Sequence, residues 1–463
     1  MIFVRPLLSP TRVGVNSTEG ISSALDGDLV HIMERIVING GAKLYGDVYI
    51  DGMKNSALPI LFATILTGDK CVIENLPPVN DIHASLDILK AMGADVRLLN
   101  KTTAMIDTSR LVGGSSPYNL VSKMRASTYL IGAELGRFGS AKVGWPGGCD
   151  FGIRPIDQHV KGFEALGAEV YIENGYINAT SSAPLKGTSI YFDVTSVGAT
   201  CNVILAATLA EGTTIIDNAA KEPHIVDLAN FLNACGADIR GAGTSMIKIN
   251  GVKALHGCEY AILPDMIEAG TYMAAVAATG GRLNIRNVVP KHVESITAKL
   301  IEMGAFVEEH DDYVTVSSNG RLNRANVKTL PYPGFPTDMQ PQFAALLCTA
   351  EGISTVTEGI WNGRFRYLEE LRKMGAGVTA EGRTATIVGT SRLSGAPVRS
   401  VDLRAGAALV IAGLAAEGQT TIEGIESTLD RGYYDIVNKL QQVGADIRRY
   451  QYDEEGTMIK LAN

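Results

Sequence analysis

Two kinds of helix alternate along this 463-residue chain. In one kind, apolar residues recur every third or fourth position: Ile82, Leu86, Leu89; Ile156, Val160, Phe163; Tyr433, Ile436, Leu440, Val443. That spacing lines one face and predicts an amphipathic helix lying on a core. In the other kind, Ala/Leu-rich stretches such as 56–66, 199–210, 268–278 and 405–416 are apolar on most sides. Such helices are predicted to be buried all round. Short Thr/Ile/Val-rich runs between them predict strands.

The pattern repeats six times. An apolar residue followed by Gly-Ala and a short strand marks Gly93, Gly167, Gly236, Gly304, Gly375 and Gly444. These glycines should close the amphipathic helices in a left-handed cap. A second mark, a Gly turn after each apolar helix, falls at Gly68, Gly139, Gly212, Gly281, Gly352 and Gly418. Both marks return at steps between 66 and 74 residues. Each unit reads as βαβαββ-like. Six units exceed one core, so the fold expected is α/β: two inside-out α/β domains, each of three repeats, with helices buried and sheets outside.

Composition agrees with a globular chain: 46% hydrophobic and 19% charged residues. Glycine is in excess, 50 residues against 17 prolines, without a collagen period. The repeat marks account for twelve of them. A formal net charge of −8 gives no bulk affinity for nucleic acid, so any anion site must be a local cluster. No apolar stretch is long enough for a membrane span, and no secretory signal pattern opens the chain. Six cysteines without a CxxC pair read as reduced thiols of a cytoplasmic protein. The histidines form no metal pattern, and there is neither a P-loop nor a GxGxxG turn.

Polar residues concentrate where the buried helices begin: Lys54-Asn55, Arg125, Ser196-Val197-Gly198, Asp265, Asp338 and Asp402-Leu403-Arg404. Ser and Asp at such positions suit helix capping. Cations there oppose the helix dipole and make sense only beside a bound anion. For the acids, capping and site roles are evenly weighted. A second series opens the amphipathic helices: Arg154, Lys221-Glu222, Lys291-His292, Arg364 and Arg431. Arginine suits bidentate phosphate and carboxylate contacts, so a cationic cleft for a small polyanion is expected. Cys149, in the Gly-rich loop GWPGGCDFG and five residues before Arg154, is the one thiol expected to be reactive. The other five are expected to be inert. His159, beside the apolar face of its helix, is expected to be chiefly structural.

The motifs GMKNSALPI, KMRAS, WPGGCDFGIRPIDQH, SVGAT, AAKEPHIVD, LPDMIEAGTY, FPTDMQ, NGRF, VDLRA and LDRGY then follow in order. From about residue 33 onward the chain resembles the UDP-N-acetylglucosamine 1-carboxyvinyltransferases, a family of enolpyruvyl transferases. The resemblance implies that the chain crosses between domains near Lys54 and near Asp265. The domains would then be 54–263, and 33–53 with 264–463. Residues 1–32 would be a disordered extension.

The resemblance also implies transfer of enolpyruvate from phosphoenolpyruvate to the 3′-hydroxyl of UDP-N-acetylglucosamine, with loss of phosphate. Cys149 would be the proton donor, the site of a covalent adduct and the target of fosfomycin. Lys54, Arg154, Arg404 and Arg431 would hold phosphoenolpyruvate. Asn55, Arg125, Arg154, Pro155, Ile156, Asp157, Gln158, Ser196, Val197, Gly198, Asp338 and Ile360 would surround the UDP-sugar, with Arg364 and Asp402 also in the cleft. Asp338 would be base or hydrogen-bond partner to the attacking hydroxyl. No cofactor or metal and no macromolecular partner is implied, and a monomer is expected. Val194, Tyr129, Met266 and Gly363, Arg366 and Tyr367 around Arg364 depart from common family residues. They point to the second paralogue of many Gram-positive bacteria. The rival readings are a shikimate-phosphate enolpyruvyl transferase and a silent UDP-sugar-binding paralogue. The loop cysteine, SVGAT and RPIDQH argue against the first, and intact Lys54, Cys149, Asp338 and Arg404 against the second.

Overall fold

The computed structural model describes residues 33–113, 116–122, 124–147, 155–390, 392–453 and 458–461. The extension 1–32, Cys149 and Arg154 lie outside them. Six helices form the interior: Lys54–Thr67, Tyr129–Phe138, Val197–Ala207, Met266–Thr279, Gln340–Leu347 and Leu403–Ala415. Nearly every side chain of the first, fourth and sixth is buried. The six pack as two trios, the first three on one another and the last three likewise. The buried leucine, isoleucine and phenylalanine side chains contribute about 1.5–3 kcal/mol each.

Among the described residues, six sheets cover these helices. Five of them contain one parallel pair and an antiparallel hairpin. In three, the parallel strands flank a core helix as an ordinary βαβ crossover: Ser189–Tyr191 with Thr213–Asp217, Asn326–Lys328 with Ile353–Thr357, and Pro397–Arg399 with Gln419–Glu423. In two, the partners are exchanged across the chain. Leu44–Tyr49 runs beside Gly281–Arg286, and Glu259–Ala261 beside Lys70–Glu74. The segments leading away from the exchanged strands meet where Gly52 bridges Pro264. Met33–Asn39 likewise pairs with Gln419–Glu423 and Asp446–Tyr452.

All twelve marker glycines have positive φ, from 59° at Gly68 to 113° at Gly281. The six of the Gly-Ala series follow the amphipathic helices as left-handed caps. The second series is less uniform. Gly68 and Gly139 cap their helices directly, but Gly212, Gly352 and Gly418 lie three to five residues beyond the last helical residue. The expected 199–210 helix therefore overshoots, because Leu209 and Ala210 fold into a turn. Tyr433 also falls outside its expected helix, which runs Ile436–Gln442. It stays buried because its hydroxyl bonds Thr271 at 2.9 Å and Gln342 at 3.1 Å.

Candidate functional site

All six core helices begin at one cavity of about 1520 Å³. Its wall holds Lys54, Asn55, Arg125, Pro155, Asp157, Gln158, Ser196, Val197, Gly198, Asp338, Ile360, Arg364, Asp402, Arg404 and Arg431. These sequence-identified residues are spread over 377 positions and are gathered by the two helix trios. Ile156 does not join them. It is buried as the residue before the Asp157–Ala165 helix. Of the second series, Glu222 also reaches the cavity, whereas Lys291 pairs with Glu294 at the surface. The departures Tyr129, Val194, Met266 and Arg366 lie on the wall too, while Tyr367 is buried.

The helix starts divide by chemistry. Asp265 accepts from the Ile267 and Glu268 N–H groups at 2.8 and 3.2 Å, and Asp402 from Arg404 and Ala405 at 2.9 Å. Ser196 accepts from Ala199 at 3.3 Å. These three are caps. Asp338 caps nothing. It lies in the short turn Thr337–Met339, and its carboxylate takes Arg364 Nη2 at 2.9 Å on one oxygen and Arg404 Nη2 at 2.9 Å on the other. Burial would raise its pKa, but the charges of Arg404 and Arg364 outweigh that and hold it well below the usual carboxylate range. Asp338 is therefore an ionised acceptor throughout the working pH range.

The cations at the first helix do find an anion, and it is a protein group. Lys54 Nζ lies 3.0 Å from Asp81 Oδ2, and Arg431 Nε 2.9 Å from Asp81 Oδ1. Burial again opposes ionisation, and Lys54 and Arg431 overcome it. Asp81, in the first turn of Asn80–Ala91, was missed by sequence reasoning. Its only signal is an acid at an amphipathic helix start, which reads as dipole complementarity. Glu358 was missed as well. Buried at the end of a strand, it accepts from Thr329 and Thr337 hydroxyls at 2.8–3.0 Å and from the Ile360 and Trp361 N–H groups at 2.9 and 3.1 Å. Thr337 in turn accepts from Arg364 Nη1 at 2.8 Å. Glu358 thus positions the 359–361 wall and the Arg364–Asp338 pair.

On the opposite wall, Gln158 Oε1 accepts from the Asp193 backbone N–H at 3.0 Å, and Lys161 pairs with the Asp193 carboxylate at 2.8 Å. His159 is buried on the cavity wall, and a Cβ on Gly198 would meet its Nε2 at 2.7 Å. Burial, reinforced by Arg125, depresses its pKa to about 3, so the ring is neutral. That close approach explains why glycine follows Ser196-Val197. Among the described residues, no three His, Cys, Asp or Glu are grouped to hold a metal ion. No described helix is long and apolar enough to cross a membrane.

The cavity therefore offers preorganised guanidiniums and an ammonium to a polyanion, with the ionised carboxylates of Asp338 and Asp81 among them. Comparison with known proteins places this arrangement. The sequence model of the family EPSP synthase (3-phosphoshikimate 1-carboxyvinyltransferase) matches residues 38–440. The chain is 57% identical over 417 residues to UDP-N-acetylglucosamine 1-carboxyvinyltransferase 3 of Caldanaerobacter subterraneus subsp. tengcongensis, covering 90% of this chain and 99% of that protein. It is 51% identical over 424 residues to UDP-N-acetylglucosamine 1-carboxyvinyltransferase 2 of Bacillus subtilis, covering 91% and 98%. Among solved structures, the enolpyruvyl transferase NikO from Streptomyces tendae superposes with a TM-score of 0.81 at 26% identity, over 92% of this chain and 100% of that one. EPSP synthase from Acinetobacter baumannii gives 0.70 at 19% identity, over 90% and 99%, a likeness of fold alone. The chain belongs to the enolpyruvyl transferases, and among them to the UDP-N-acetylglucosamine 1-carboxyvinyltransferase family.

Proposed function

We propose that the protein transfers the enolpyruvyl group of phosphoenolpyruvate to the 3′-hydroxyl of UDP-N-acetylglucosamine and releases phosphate, the opening step of peptidoglycan synthesis and so a requirement for cell growth and division. One observation carries the proposal. Cationic and capped helix starts from both trios face one cavity, in a chain more than half identical to a named enzyme of this activity. We place it in the cytoplasm as a monomer, in two domains, 54–263 and 33–53 with 264–463, with the reaction between them.

The chemistry follows from charge. The sugar hydroxyl adds to C2 of phosphoenolpyruvate while a proton adds to the C3 methylene. The resulting tetrahedral ketal then loses phosphate and a methyl proton. In this proposal Cys149 supplies the methylene proton. Lys54, Arg154, Arg404 and Arg431 hold phosphate and carboxylate, and stabilise the charge that collects on the departing phosphate. Asp338 accepts the hydroxyl hydrogen bond. Its two arginines keep it ionised but weaken it as a base, so proton removal requires Arg404 or Arg364 to turn toward substrate. Asn55, Arg125, Pro155, Asp157, Gln158, Ser196, Val197, Gly198 and Ile360 line the UDP-sugar side, on this reading.

The test is phosphate release from phosphoenolpyruvate with UDP-N-acetylglucosamine or shikimate 3-phosphate as acceptor. Release is expected only with the UDP-sugar. Release with shikimate 3-phosphate alone, or with neither, would overturn the proposal. Cys149→Ala is expected to abolish turnover, and a wild-type rate in that variant would remove the role given to the thiol.

A further inference from the structure

Three cysteines far apart in sequence meet outside the cavity. Cys235 follows the helix Pro223–Ala234, Cys258 precedes the strand Glu259–Ala261, and Cys71 lies in the strand Lys70–Glu74. The sulfurs of Cys235 and Cys258 are 3.3 Å apart. Backbone bonds tie the three segments together, from His256 N to Cys235 O and from Val72 N to Cys258 O, each 2.9 Å. Cys71 and Cys235 are buried, whereas Cys258 is partly open to solvent. None of the three lines the cavity. With no metal-holding group of three among the described residues, the chemistry that remains is that of sulfur itself.

We propose that Cys235 and Cys258 are a peroxide-reactive pair that closes to an intramolecular disulfide. The gap shortens by about 1 Å, and the segments are already fixed in place. Cys258, the accessible member, attacks one peroxide oxygen and the O–O bond breaks. Its proton passes to the departing hydroxide, leaving a sulfenic acid and water. The Cys235 sulfur then attacks the Cys258 sulfur. The S–O bond breaks, and hydroxide leaves with the Cys235 proton as a second water. Peroxide is reduced by two electrons and the two thiols are oxidised by two.

The full chain is treated with hydrogen peroxide, alkylated in denaturant and digested without reductant for mass spectrometry. The expected product is one cross-linked peptide pair joining Cys235 to Cys258, lighter by two hydrogens and lost on treatment with dithiothreitol. Cys201 and Cys348 stay alkylated. Cys235→Ser should instead leave a Cys258 sulfenic acid that dimedone captures. Cys71→Ala should keep the cross-link. Full alkylation of Cys235 and Cys258 after peroxide, or a cross-link through Cys71, would overturn the proposal.

Discussion

At the scale of single residues, the site is built from charges whose partners decide their state. Asp338 pairs with two guanidiniums that are almost wholly buried. Asp338→Ala leaves both without this anion, so the variant should lose about 3 kcal/mol of stability along with turnover, checked by denaturant melts beside phosphate-release rates. Arg404→Lys keeps a charge but cannot reproduce the two-nitrogen contact with Asp338, made at 2.9 and 3.2 Å. Its kcat/KM should fall by about 10²–10³. Glu134 shows the opposite situation. It is fully buried, receives one hydroxyl bond from Ser116 at 2.7 Å, and burial pushes its pKa up to about 7. The folded state thus binds a proton that the unfolded chain releases near its ordinary value of 4.5. That contribution is complete below the unfolded pKa and is lost as pH rises through about 7. Stability should therefore decline between these values by on the order of 2–3 kcal/mol, and Glu134→Gln should flatten the decline. A variant with an unchanged pH profile would assign the slope to other groups.

At the scale of elements, periodicity carried much of the fold. Every Gly-Ala mark is a left-handed cap and every apolar stretch is a core helix, because both follow from local backbone preference and one-dimensional spacing. The six helix starts could likewise be singled out before their convergence was visible. Spacing places a residue on an element but does not aim its side chain, so Asp338 could not be separated from the capping acids Asp265 and Asp402. Nor does spacing pair residues remote in sequence. Asp81 with Arg431, Glu358 with Thr337, and the three sulfurs arise only when the trios close. Close packing of the first trio shows the same limit. Gly132 in Tyr129–Phe138 faces the neighbouring helix, where an added Cβ would lie 2.4 Å from the Asn202 carbonyl oxygen and 2.9 Å from its Oδ1. The Gly132 N–H also bonds that Oδ1 at 2.9 Å. Alanine would gain about 1 kcal/mol of helix propensity, but must force two backbones apart. Gly132→Ala should therefore be destabilising on balance by about 1–2 kcal/mol, measured as a lowered Tm.

At the scale of the whole molecule, two trios share a cavity to which both supply charged side chains. Asp81 and Lys54 come from the side of the first trio, and Arg431 from the short turn Leu429–Arg431 that packs on the last core helix. Asp81 therefore joins the two sides through a carboxylate that occupies two of the cations proposed for phosphoenolpyruvate. An incoming phosphate must either share those cations or displace the carboxylate, and an ion pair this close and this buried is not surrendered to salt screening. Asp81→Asn separates the possibilities. If Asp81 is a resident competitor, removing its charge leaves two cations facing each other, so the unliganded variant melts lower than wild type. Inorganic phosphate then raises its Tm by more than it raises that of the wild type, because ligand stabilisation grows with affinity. If Asp81 instead organises Lys54 and Arg431 for their ligand, the variant responds to phosphate less than the wild type does. The near burial of Lys54 and Asp81, with the desolvation cost already met by their pairing, favours the first outcome. Melting curves over a phosphate titration, with sodium chloride at matched ionic strength as reference, measure the difference directly.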